Sequence, residues 1–107
     1  MEVSIETLAA LRLRLRLAGD DFDQEISELA SAALASLGAA GVPSGRLEAC
    51  AASPKGDAMV MQAVTCYVKA GFGLDNEDAA RYSQAYEAIR AALAMQCGAN
   101  ETAGGRP

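Results

Sequence analysis

Two carboxylate clusters, Asp20/Asp21/Asp23 and Asp75/Glu77/Asp78, are the side chains whose type and spacing could do acid–base work. Such work needs carboxylates held in a water-poor pocket. Both clusters instead stand where helices are expected to begin, and there capping and the helix dipole already account for them. A nucleophile–base pair would draw on histidine or a buried lysine. The chain has no histidine, and its lysines are Lys55 and Lys69. The three cysteines, Cys50, Cys66 and Cys97, are widely spaced and form no CxxC pair, so they read as small apolar residues rather than metal ligands. Gly71 and Gly73 are not followed by the Gly-Lys-Ser/Thr of a phosphate loop. Tyr67, Tyr82 and Tyr86 could stack on bases, but their helical spacing favours core or interface roles. The residues thus point away from an enzyme, and no cofactor or metal is expected.

The elements that position these side chains follow from periodicity and helix punctuation. The central stretch is YVKAGFGLDNEDAARYSQAYEAIRAAL, Tyr67 to Leu93. One helix ends near Ala70-Gly71, where glycine tolerates the left-handed conformation that closes a helix. Phe72 is the expected apolar contact beyond the cap, and Gly73 allows the next bend. Asn76 is the expected N-cap of the following helix. Ala79, Tyr82, Tyr86, Ile89 and Leu93 then recur at three- and four-residue spacing as one apolar stripe. The stretch reads as a helical hairpin.

Upstream, Ser4 is expected to cap a helix from Ile5 to about Leu13, with Leu8, Leu11 and Leu15 on one side. The alternating LRLRLRL of Leu11 to Leu17 predicts an extended exit through Arg14-Leu15-Arg16-Leu17. Arg12, Arg14 and Arg16 have two readings: contacts to an acidic partner or DNA, or a solvated face pairing with Asp20, Asp21 and Asp23. The second is favoured because the surroundings are acidic. Gly19 breaks the chain, and Asp20 or Asp21 is expected to cap a second helix with a stripe of Phe22, Ile26, Leu29, Ala33 and Leu37. It should end between Gly38 and Gly41. Pro43 to Gly56 reads as a long loop with one helical turn or a short extended piece; it is either a docking loop, with Pro43, Arg46 and Lys55 as its contacts, or a tolerated insertion. Asp57 caps a third helix, Ala58 to Ala70, with Lys69 in its last turn. The fourth is expected to end around Met95 to Cys97 with Gly98 as its stop, leaving residues 98–107 as a flexible tail.

The expected fold is therefore all-α: a small four-helix bundle over residues 1–97, with a long loop between the second and third helices and a disordered C-terminal tail. Hydrophobic residues make up 51% of the 107, but only 5% are aromatic and there is no tryptophan. Alanine favours helix yet buries little area, so the core is thin and association with copies of itself would relieve it. The net charge of −5 lacks the footprint of a general DNA binder. No apolar run is long enough to cross a bilayer, and the N-terminus does not resemble a signal peptide.

The hairpin sequence, with its aromatic-Val-Lys-Ala, Phe-Gly and Asp-Asn followed by a helix of spaced aromatics, resembles the closing segment of the phage head-tail connector (adaptor, DNA-packaging) family. VSIETLAALRLRL, the acidic DD-F-D and EISELASAAL match it more loosely, and the resemblance spans Val3 to Leu93. One departure is Glu77, where a proline would be expected after Asp-Asn; glutamate suits a first helical turn, so the helix start survives. The signature residues are Tyr67, Lys69, Phe72, Gly73, Asp75, Asn76, Tyr82 and Tyr86, which fix the hairpin. The resemblance implies a structural virion protein, assembled in the host cytoplasm and placed at the head-tail junction. It implies a ring of identical subunits, dodecameric in the virion, under the portal protein. That ring would extend the channel through which DNA passes without specific contacts and support a tail-joining protein, with no membrane involved. The alternatives are a small helical DNA-binding or regulatory protein and a cellular helical adaptor.

Overall fold

The computed structural model describes residues 1–73 and 76–103, with side chains through Cys97. Its elements are five helices: α1 (Ile5–Arg14), α2 (Asp23–Ala39), α3 (Ser44–Ala52), α4 (Ala58–Gly71) and α5 (Ala79–Ala103). Among the described residues there is no strand.

The centre of the bundle is α4, whose Val60, Met61, Ala63, Val64, Thr65, Cys66 and Val68 are all buried. It lies between α2 and α5, with α3 against its start. The expected cap is present: Asp57 accepts a hydrogen bond from the Val60 amide at 3.1 Å. The α5 stripe faces α4, with Tyr86 and Leu93 buried and Ile89 packed beside them. Tyr67 and Tyr86 meet edge to face, with ring centroids 5.1 Å apart. The Tyr86 hydroxyl donates to Ser36 on α2 at 2.7 Å, which joins three helices, and burial pushes the Tyr86 phenol above its ordinary pKa. The whole is a thin body, 51 × 28 × 17 Å.

Several expectations are corrected. The stretch Pro43 to Gly56 is mostly helix: α3 occupies nine residues, giving five helices among the described residues rather than four. Leu47, Cys50 and Ala51 form its buried face, and Pro43 stands just before it with φ −59°, a value that suits a helix start. Its terminal carbonyls are met by α1. The Ser4 amide donates to Ala51 O at 2.7 Å, and the buried Thr7 hydroxyl donates to Cys50 O at 3.0 Å. Ser4 also caps α1 by accepting from the Thr7 amide at 3.1 Å.

Neither Asp20 nor Asp21 caps α2; the position before the helix belongs to Phe22, which makes no side-chain cap. The Asp23 amide turns back to Asp20 O at 3.2 Å, so the aspartates form a turn ahead of the helix. Phe22 leaves the α2 stripe and meets Phe72 edge-on at 5.3 Å. Arg14 is not extended but closes α1. Beyond it, Leu17 N donates to Arg12 O and Arg16 N to Leu13 O, each at 3.0 Å. That is a Schellman closure, with Arg16 at φ 61° in the position glycine usually takes. Gly71 is the last helical residue of α4, and the left-handed glycine is Gly73, at φ 86°. Finally, Gly98 does not stop the last helix, which runs on to Ala103. The expected tail therefore overlaps α5 at residues 98–103, and residues 104–107 lie outside the described residues.

All three cysteines are free and buried. Burial pushes the Cys50 thiol up to about 11, as expected of an inert apolar filler.

Candidate functional site

The exit of α1 and the α4–α5 hairpin converge on one open groove of about 400 Å³. The α1 side supplies Arg14, Leu15 and Arg16. The hairpin supplies Lys69, Phe72, Asn76 and Tyr82. Residues about fifty positions apart in sequence thus share a surface of three cations over an aromatic floor, on a chain whose net charge is −5.

Each side chain is held differently. Arg14 donates to the Thr65 hydroxyl at 2.7 Å, and that hydroxyl donates to Met61 O within α4. Lys69 lies over the Tyr82 ring at 5.3 Å, and Arg81 approaches the same ring at 5.2 Å, distances at which a cation is attracted to an aromatic face. Asn76 is not the N-cap of α5, which begins at Ala79 directly after Asp78, but shapes the turn ahead of it. Its Oδ1 accepts from the Asp78 amide at 3.1 Å, while its Nδ2 donates to Lys69 O and to Phe72 O. One amide side chain thereby ends α4 and leads into α5. Arg16 enters the groove from a backbone conformation that costs a non-glycine residue about 1–2 kcal/mol.

The remaining arginines have other destinations. Arg12 is withdrawn from the groove by Asp23, with Nε 2.8 Å from Oδ1. Arg46 is half-buried and multiply engaged: its guanidinium grips Asp57 and reaches Gln96 Oε1 at 2.9 Å. The Asp57 hydrogen bond is the main cause of the raised Arg46 pKa. Pro43 and Lys55 are exposed near the two ends of α3, away from the groove. Tyr67 and Tyr86 are committed to packing, Gly73 to the bend, and Asp75 lies outside the described residues.

Sequence reasoning missed Thr7, Thr65 and Ser36, three hydroxyls that join helices. Their partners lie 43 to 51 residues away, so no local spacing reveals them. Gly56 was also missed: a Cβ there would stand 1.9 Å from Ala49 O.

Among the described residues no group of His, Cys, Asp or Glu is arranged to hold a metal, and no described helix is long and apolar enough to cross a membrane. Side-chain hydroxyls and guanidinium groups among the described residues tie the helices together, and a basic groove lies open at the surface. A family profile described as phage connector protein matches residues 8–100, and the chain belongs to that family. Its general role is therefore that of a connector between phage head and tail. No curated protein and no solved structure matches the chain.

Proposed function

We propose that the chain is one subunit of a ring that sits under the portal, extends the DNA channel and receives a tail-joining protein. The observation that carries this reading is the family match over residues 8–100, which takes in both walls of the basic groove. Side-to-side repetition of one heterologous contact closes a ring, and the portal supplies the template. Twelve copies, matching the portal, is the number proposed for the virion. The groove gives each subunit an anion-accepting surface, while the exposed Pro43 and Lys55 offer a second contact region. Host cytoplasm is the proposed place of assembly, and the chemistry is assembly rather than catalysis.

The test mixes the purified chain with portal-bearing, DNA-filled heads of its own phage and images the vertex by cryo-electron microscopy. A ring of added density below the portal is expected. Heads that bind no chain would overturn the reading. The three groove cations also favour a second reading, contact with DNA. It predicts duplex binding that weakens steeply with salt, and binding insensitive to loss of Arg14, Arg16 and Lys69 would remove it.

A further inference from the structure

The chain does not use its lysines and arginines alike. Among the described residues, carboxylates pair with Arg12, Arg46, Arg81 and Arg90. Arg14, Arg16 and Lys69 are in none of these pairs, and all three line the open groove between the α1 exit and the α4–α5 hairpin. The sequence holds fourteen acidic residues to nine basic ones, so three cations gathered away from carboxylates are the exception in it. Like charges held together repel one another, and an anion entering the groove relieves that repulsion.

Neutral partners position these cations without cancelling their charge. Arg14 gives one N–H to the Thr65 hydroxyl, and a guanidinium has five; the residue stays exposed. Lys69 leans on the Tyr82 ring. Arg16 is exposed in the turn that closes α1. Between them Leu15, Phe72 and Tyr82 are half-buried, so the groove offers apolar surface beside its charge. Its volume of about 400 Å³ is at the small end of ligand sites and has room for a few side chains.

We propose that the groove takes a short acidic and apolar peptide segment of an adjoining protein. Its carboxylates meet Arg14, Arg16 and Lys69, and an apolar side chain lies on Leu15, Phe72 and Tyr82. The surroundings favour such a segment over a nucleic acid. Exposed Asp20 and Asp21 follow the α1 wall, and exposed Glu77 and Asp78 follow the α4 wall. A duplex carries one charge per about 1.7 Å of its axis, so phosphates reaching past the groove meet those acids. A peptide confines its charge to a few side chains inside it. Lys69 and Arg81 also lie against the Tyr82 ring, so cations rather than a stacked base occupy that aromatic surface. The proposal names the chemistry that the groove of each subunit recognises, and it rests on the assembly reading only for the setting in which such a segment is met.

The test is an amide NMR titration of the purified full chain with a capped peptide of alternating aspartate and leucine or phenylalanine. Amides of Leu15, Arg16, Lys69, Phe72 and Tyr82 should shift, with a dissociation constant between about 10 µM and 1 mM, the range of weak association. The same peptide with asparagine for aspartate should bind at least about tenfold more weakly, the scale of one charged hydrogen bond. Arg16→Gln with Lys69→Gln should weaken the aspartate peptide to a similar degree. Lys55→Gln with Arg90→Gln removes the same charge outside the groove and should change binding by less than about twofold, as screened distant charges do. The asparagine comparison needs no variant, so it decides even where a double variant fails to fold. No groove shifts up to about 5 mM peptide, equal binding of the asparagine peptide, or equal weakening by the two double variants overturns the proposal. So does a short DNA duplex that moves the same amides at lower concentration than the peptide. Heads take no part in this experiment, so its failure is separate from a failure to see a ring below the portal.

Discussion

Arg46 and Asp57 face each other in a two-pronged clasp, Nε to Oδ2 at 2.6 Å and the second guanidinium nitrogen to Oδ1 at 3.1 Å. Asp57 Oδ1 simultaneously caps α4, and Arg46 also reaches Gln96. The pair therefore ties α3, the start of α4 and the later part of α5 into one unit. Arg46→Ala should destabilise by about 1.5–2 kcal/mol, the lower part of the range for charged hydrogen bonds, because its side chain keeps 30% exposure. The hydrogen bond from Arg46 is the first cause holding the Asp57 carboxyl below the ordinary carboxylate value, with the Val60 amide adding to it. A depressed carboxylate stabilises fully above its unfolded pKa of about 3.9 and loses that contribution as pH falls through the lower folded value. Denaturant midpoints measured from pH 7 down to pH 2 should show this acid-side loss in the native chain and a smaller one in Asp57→Asn.

Gly56 is closed to every side chain. A Cβ at this position would lie 1.9 Å from Ala49 O and 2.5 Å from its carbonyl carbon, and backbone cannot swing aside as a side-chain tip can. Gly56→Ala should cost about 2–3 kcal/mol, the scale of an overpacked site, read by thermal unfolding. Gly71→Ala is the useful contrast. Its Cβ would meet only the Leu29 side-chain tip at 2.8 Å, so the loss should be smaller.

Arg16 occupies a left-handed position in the closure of α1. Arg16→Gly should stabilise the free chain by about 1 kcal/mol through relief of that conformation, visible as a higher melting temperature. The same change removes a groove cation. A variant that is more stable yet joins heads less well would separate the two roles; unchanged stability would show that the strain is absorbed elsewhere.

Tyr86 and Tyr82 share the α5 stripe but not its burden. Tyr86→Ala removes a buried ring, its contact with Tyr67 and its hydrogen bond to Ser36, and should cost about 3–5 kcal/mol. Tyr82 is half-buried at the groove, and Tyr82→Ala should cost clearly less. Helicity and urea midpoints of the two variants give the comparison.

The parts legible in the sequence were those fixed by neighbours a few positions away. Ser4 and Asp57 cap as their spacing implies, and Gly41, at φ 105°, closes α2 where the glycines predicted an end. The aromatic spacing placed Tyr86 and Leu93 inward. Helix α3 was not legible because its stability is tertiary: three buried side chains, two carbonyls met by α1 and a clasp to Asp57 replace any long local pattern. The groove was legible only in halves. The arginine run and the hairpin signature each stood out, but their meeting depends on how α1 lies against α4, through Arg14 and Thr65.

A body 17 Å across its narrowest axis has almost no depth. Its innermost helix, α4, is one side chain away from whatever touches the outside, so a neighbour does not merely sit on such a molecule but becomes its missing wall. Incorporation into a particle should accordingly slow amide exchange in α4 itself, and a subunit adrift should be softer than the same subunit in place.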